Sequence, residues 1–150
     1  MAELLHNPSI LAKAKQELSK EIPPRQIVQE QDISRLPYLV GVTKEALRLH
    51  PIAPILVPHQ TEQEVEIHGY TIPKHTQDFK YIPFGAGRRI CPGSSLAMRM
   101  VSLMLANLVH NFDWELPNGL KPEDLDMNDG LGMTLHKHEP LVVIPVDHVA

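Results

Sequence analysis

Phe84-Gly85-Ala86-Gly87-Arg88-Arg89-Ile90-Cys91-Pro92-Gly93 is the stretch on which the reading of this 150-residue chain turns, because it surrounds the only cysteine. Phe84, Gly87, Arg89, Cys91 and Gly93 stand at the spacing F-x-x-G-x-R-x-C-x-G, and an apolar helical pattern starts at Ser94. A thiol serves as a metal ligand only when deprotonated, so it needs an electropositive setting rich in hydrogen-bond donors. The first N–H groups of a helix have no partner within it, and the helix dipole favours an anion beside them. Gly93 and Ser94 bring such groups next to the sulfur, where Pro92 has none to give. Gly93 also lets the backbone approach the sulfur, and Gly85 and Gly87 allow the preceding loop to turn tightly. A lone cysteine is more often a small buried hydrophobe. Five specified residues at this spacing should recur by accident about once in ten thousand such chains or less, which outweighs that reading.

Working outward, Ser94 to Phe112 reads as a helix that is apolar on nearly every side, with Leu96, Met100, Leu103, Met104, Leu105 and Leu108 among its residues. Such a helix needs partners all round. Ala2 to His6 reads as the last turns of a helix. Asn7 is placed to cap a second helix over about Pro8–Glu21, with Pro8 at its first position and Leu11, Ala14 and Leu18 on one face. Pro23-Pro24 stops it. Pro37 opens a third helix to about His50, with Leu39, Val42, Ala46 and Leu49 at helical spacing, and Pro51 ends it. Ile52 to Val57 reads as irregular or as a short edge strand. Val65 and Ile67, then Tyr70 and Ile72, flank His68-Gly69 as a hairpin would. Asn118 to Gly132 is loop-like. Met133 and Leu135, then Leu141 to Ile144, suggest a closing hairpin turning near Lys137-His138-Glu139-Pro140.

Glu45 and Arg48 lie three apart on the third helix and so share a face. Seen alone, such a pair is an exposed helix ion pair contributing about 0.2–0.5 kcal/mol. Its setting, Lys44-Glu45-Ala46-Leu47-Arg48-Leu49-His50-Pro51, suggests more.

The cysteine stretch resembles the haem-binding signature of the cytochrome P450 family, and Lys44 to Pro51 resembles that family's E-x-x-R helix. The two motifs occur in the family's order, and the likeness covers essentially the whole chain. It is strongest to plant microsomal members, terpenoid hydroxylases similar to geraniol 8-hydroxylase. The implied fold is mainly α with small β-hairpins, an incomplete P450 fold with helices resembling J, K and L plus the haem loop. Residues 1–150 are then a single C-terminal haem-binding portion. The resemblance implies haem b held through the Cys91 thiolate, which pushes electron density onto iron. It also implies that Phe84 shields the sulfur, Arg89 pairs with a propionate and Gly93 flanks the ligand. His59, in Val57-Pro58-His59, matches a position that contacts a propionate in relatives, although by residue type it is only a loop histidine. Glu45 and Arg48 are implied to be buried, holding the segment under the haem. Ile52, Ala53, Ile55, Val57, Leu131 and Met133 match segments lining the substrate pocket, although by composition they are only apolar loops.

The implied chemistry is haem-thiolate monooxygenation: hydroxylation of a small hydrophobic substrate, a terpenoid among the candidates, with O2 and electrons from NADPH-cytochrome P450 reductase. Two departures bear on it. By the resemblance, the 150 residues are expected to lack the family's N-terminal portion, including the membrane anchor and the long distal helix. Gln77 also runs directly into Asp78 where relatives carry several dozen residues, an apparent internal deletion, and no P-x-R-F segment occurs anywhere in the sequence. A buried Glu45–Arg48 pair without that segment's arginine would carry unmet hydrogen-bonding capacity of about 1–3 kcal/mol. The chain is therefore expected to be marginally folded and not to turn over alone, so its standing as an enzyme is open. The alternatives are a truncated non-catalytic remnant and a helical interaction module without haem. Full-length relatives sit on the cytosolic face of the endoplasmic reticulum membrane; without an anchor, this chain is expected in the cytoplasm.

Composition adds bounds. A formal net charge of −4 gives no sign of nucleic-acid binding. One cysteine excludes an internal disulfide and fits a reducing compartment. No uninterrupted apolar stretch is long enough to span a bilayer, and no signal peptide pattern opens the chain. His136-Lys137-His138 lacks a carboxylate or cysteine at ligand spacing and is best read as solvated surface.

Overall fold

The computed structural model describes residues 1–54, 64–72, 83–85, 87–132 and 134–147. Four helices come first in importance: α1 (Ala2–His6), α2 (Pro8–Glu21), α3 (Pro37–Leu49) and α4 (Ser94–Asn111). Proline opens α2 and α3 because its fixed φ suits the first helical position and its missing N–H is not needed there. Asn7 does not cap α2 with its side chain as expected. Its amide instead donates back to the Glu3 carbonyl (2.9 Å) and carboxylate (3.2 Å), tying α1 to the start of α2.

The core is one cluster: Leu4 from α1, Ala14 and Leu18 from α2, Ile22 and Val28 from the loop that follows, Leu36 and Leu39 around the start of α3, and Leu105, Ala106 and Val109 from α4. Each fully buried leucine contributes about 1.5–3 kcal/mol. On α3 the inward residues are Leu39 and Thr43, whereas Leu49 is exposed, so the buried face is rotated from the expected Leu39-Val42-Ala46-Leu49 stripe. Thr43 is tolerated inside because its hydroxyl donates to the Leu39 carbonyl at 3.1 Å. On α4, Ser102, Leu105, Ala106 and Val109 follow the spacing of one helical face and are buried. Leu96, Met100, Val101, Met104 and Leu108 are not.

Side chains complete what helix geometry leaves open. The residue before α3 is Leu36, which cannot cap, so the Tyr38 and Leu39 N–H groups donate to the two carboxylate oxygens of Glu17, each at 2.9 Å. Asn107 on α4 accepts from the Val28 N–H (2.9 Å) and donates to the Val28 carbonyl (3.1 Å), which fixes the loop after α2. A 3₁₀ turn at Glu30–Arg35, not foreseen from the sequence, buries Asp32. The Gln29 backbone N–H, with Arg35 beside it, holds that carboxyl below the usual range.

Among the described residues, three antiparallel two-stranded ribbons accompany the helices. The expected hairpin forms from β1 (Val65–Ile67) and β2 (Tyr70–Ile72). Its two turn residues, His68 and Gly69, both take positive φ (50° and 80°), as the hairpin twist requires. The expected C-terminal hairpin does not form. The helix ends at Asn111, and Phe112–Glu115 becomes β3, paired with β6 (Ile144–Asp147) from Phe112↔Asp147 to Glu115↔Ile144. Leu135 belongs instead to β5 (Leu135–Lys137), paired with β4 (Asp129–Leu131) inside the stretch read as loop. Two contacts favour these pairings. Lys15 on α2 forms an ion pair with Asp113 on β3. Gly130 leaves room for the His136 ring opposite it, whose Nε2 would lie 2.9 Å from a Cβ there.

Candidate functional site

The cysteine loop is closed by its own backbone. The Cys91 N–H donates to the Phe84 carbonyl at 2.9 Å, so the two ends of the eight-residue stretch meet. Gly85 takes φ 73°, a conformation that favours glycine, and Gly87–Arg89 form a 3₁₀ turn. Ser94 N–H donates to the Cys91 carbonyl (3.2 Å) and Ala97 N–H to the Gly93 carbonyl (2.8 Å), which launches α4 directly from the cysteine. The Ser94 N–H is thus engaged by a carbonyl rather than left to the sulfur. Cys91 is exposed, Phe84 is half-buried and Arg89 is exposed.

Gly93 has an ordinary negative φ, so its backbone does not demand glycine. A Cβ there would lie 3.8 Å from the Cys91 sulfur, an ordinary contact. What the glycine keeps open is the flank of the sulfur. The result is an accessible soft thiol at the head of an 18-residue helix, with its peptide N–H already satisfied, a donor type suited to a soft metal. Among the described residues no three His, Cys, Asp or Glu side chains gather as metal ligands.

The Glu45–Arg48 pair forms as a two-pronged contact, Arg48 Nε to Glu45 Oε2 at 2.8 Å and Nη2 to Oε1 at 2.7 Å. Arg48 holds the Glu45 carboxyl below its ordinary value. The expected burial is not found: Glu45 is 55% and Arg48 59% exposed. The physical reason is the side of α3 on which they stand. Leu39 and Thr43 take the inward positions, and Glu45 and Arg48 fall on the opposite side. Water therefore reaches the pair, and the penalty expected for unmet buried groups does not arise.

The two segments matched to a pocket wall are brought together. The Ile52 carbonyl accepts the Leu135 N–H of β5 at 2.9 Å, placing Ile52 and Ala53 alongside the hairpin that carries Leu131. Ile52, Ala53 and Leu131 are all exposed. His59, Ile55, Val57 and Met133, and the Gln77–Asp78 junction, lie outside the described residues. The structure adds one constellation that sequence reading missed. His50, at the end of α3, places Nε2 2.7 Å from Glu3 Oε1 and Nδ1 3.1 Å from Asp129 Oδ1. The three side chains border a cavity of about 310 Å³ whose walls include Ala46, Val101, Leu105 and Leu135. The only hint in the sequence is a histidine directly before the proline that ends α3; the carboxylates are 47 and 79 residues away.

Comparison with known proteins gives consistent results. The family model described as Cytochrome P450 matches residues 1–78 and 74–143. Cytochrome P450 76T24 of Catharanthus roseus is 46% identical over 182 residues, covering 97% of this chain and 36% of that protein. Geraniol 8-hydroxylase of Swertia mussotii is 43% identical over 177 residues, covering 94% of this chain and 36% of the relative. Among solved structures, a zebra fish cytochrome P450 with abiraterone superposes with a TM-score of 0.85 at 26% identity, covering 99% of this chain and 42% of the other. The chain thus spans little more than a third of the length of the curated relatives it matches, and it adopts part of their fold. Among the described residues no helix is long and apolar enough to cross a membrane.

Proposed function

The chain belongs to the cytochrome P450 family, and on that premise we propose that its cysteine loop is a haem-thiolate site in which the Cys91 thiolate would hold haem b. The observation that carries this reading is the exposed sulfur held at the start of α4 by the Cys91–Phe84 backbone bond. When bound, haem with a thiolate ligand supplies dioxygen activation for inserting one oxygen atom into a substrate. The chain's own residues would hold and tune it. Arg89 offers a forked donor to a propionate, Phe84 limits water near the sulfur, and Gly93 leaves the flank of the sulfur free. His59 completes the propionate contacts in this reading. Ile52, Ala53, Ile55, Val57, Leu131 and Met133 contribute an apolar wall, and the hydrogen bond from Leu135 to Ile52 supports the part of it that is described.

The substrate class is a small hydrophobic molecule, a terpenoid by likeness to the geraniol 8-hydroxylases. Electrons would come from NADPH-cytochrome P450 reductase, as the resemblance implies for full-length relatives at the endoplasmic reticulum membrane. The 150 residues alone do not turn over in this reading, because one loop and part of a pocket wall leave haem open to water. The two family-model ranges meet at 74–78 and support an internal deletion near 77–78. The aligned stretch points the same way: it runs 182 positions, while 97% of 150 residues supplies about 146 of them, leaving about 36 without a counterpart. A non-catalytic remnant is the second reading, favoured by the exposure of Glu45 and Arg48.

The test is haem reconstitution of the full chain. Wild type should give a thiolate-type absorption of the reduced carbon monoxide adduct, and Cys91→Ser should abolish it. Arg89→Ala should weaken haem retention more than Arg88→Ala. An unchanged spectrum in Cys91→Ser overturns the ligand assignment, and substrate oxidation by the 150 residues when reductase and NADPH are supplied overturns the expectation that they do not turn over alone.

A further inference from the structure

The end of α3 carries a histidine set between carboxylates from two distant parts of the chain, Glu3 on α1 and Asp129 on β4. A neutral imidazole has one N–H and can donate to only one of them, whereas imidazolium donates to both. Two residues further on, the Ile52 carbonyl takes the Leu135 N–H of β5. Residues 50–52 therefore meet both strands of the β4–β5 hairpin, one through a side chain and one through the backbone. The side chains of His50, Glu3 and Asp129 are 34%, 26% and 35% exposed, so they are neither sealed in the core nor free in solvent.

We propose that His50 is a protonation-controlled positioning residue: as imidazolium it clamps α1 and the β4–β5 hairpin to the end of α3, and so sets the gap between the apolar segments Ile52–Ala53 and Leu131. That these segments wall a substrate pocket rests on the function proposed above. The clamp itself rests on the geometry alone.

The groups facing the ring decide the sign. Glu3 and Asp129 touch the ring; Met1, just before α1, and His136 and Lys137 of the hairpin border the same cavity, to which α4 brings the apolar Val101 and Leu105. On its own helix, Glu45 and Arg48 precede it as an ion pair. The hydrogen bond to Glu3, opposed by partial burial and reinforced by Asp129, raises the imidazole above its ordinary value of 6.5. A group raised on folding contributes fully below its unfolded value, and its contribution fades as pH rises through the folded one. The clamp is closed in mild acid and releases on the alkaline side of 6.5.

The experiment follows the full chain by NMR, recording the His50 ring titration and the exchange protection of the Leu135 and His138 amides. In wild type, protection should fall about five- to tenfold as pH passes the His50 midpoint, the scale of two partly exposed ion pairs. In His50→Gln it should be low and independent of that midpoint. Asp129→Asn keeps the Glu3 contact, should lower the His50 midpoint and should weaken protection at Leu135; it carries the test should His50→Gln not fold. Acetylating Met1 and, separately, His136→Gln, which remove other titrating groups at the same cavity, should leave the transition in place. Protection that stays flat through the His50 titration, or that persists with its pH dependence in His50→Gln, overturns the clamp. None of these measurements needs haem, so failure of the haem site and failure of the clamp are told apart.

Discussion

The two sides of α4 carry similar residues and meet different surroundings. Leu105, Ala106 and Val109 are buried in the cluster built by α1, α2, the loop after it and the start of α3. Leu96, Met100, Met104 and Leu108, spaced four apart on another side, remain 36–64% exposed. Apolar character says that a residue gains from burial; it does not say which element will supply the cover. On the buried side, Asn107 grips the Val28 backbone and holds the covering loop in place. The exposed side forms a contiguous apolar strip of the kind that mediates association.

This contrast can be broken most severely in the core. Leu18→Ala removes a fully buried side chain of the cluster that includes the buried side of α4 and should cost about 2–5 kcal/mol. Met104→Gln, on the open strip, should leave the denaturation midpoint unchanged while slowing aggregation. Urea titration together with light scattering checks both, and equal destabilisation by the two substitutions would erase the distinction between the sides. A smaller effect is expected from Asn107→Leu, which retains volume but leaves the Val28 N–H and carbonyl without their partner, at about 1–3 kcal/mol. Hydrogen exchange at Val28 should rise in that variant before global unfolding. The smallest effect concerns the start of α3. Glu17→Gln keeps one acceptor but loses the charge shared between two helix N–H groups, at about 1 kcal/mol. Glu45→Gln, a change of the same kind on the exposed side of α3, should leave the thermal midpoint within measurement error.

Much of this was legible from short stretches of sequence. Pro8, Pro37 and the prolines after each helix bounded α2 and α3. The dipeptide His68-Gly69 between alternating apolar residues marked the first hairpin. The spacing around Cys91 located the candidate site, and the structure puts that cysteine at the head of the expected helix. Other features were not legible. The pairing of β3 with β6 joins strands whose ends are residues 112 and 147, and no local signal distinguishes it from the hairpin expected nearer Lys137. Glu17 reads as one more charge on an amphipathic helix until α3 is placed above it. Glu45 and Arg48 make the mutual contact that spacing three on a helix permits, but their exposure depends on which elements cover that side of α3.

By itself, the sequence determined where helices start and stop, which dipeptide turns a hairpin and which residues surround the single cysteine. Those outcomes follow from forces acting within a few residues: a fixed φ at proline, a permitted positive φ at glycine, and unpaired N–H groups at a helix start. Only the tertiary structure decided which side of α4 is buried, which strands pair, and that His50 meets Glu3 and Asp129. Those outcomes require segments tens of residues apart to come together, and burial there depends on the combined surface of several elements rather than on the residue itself.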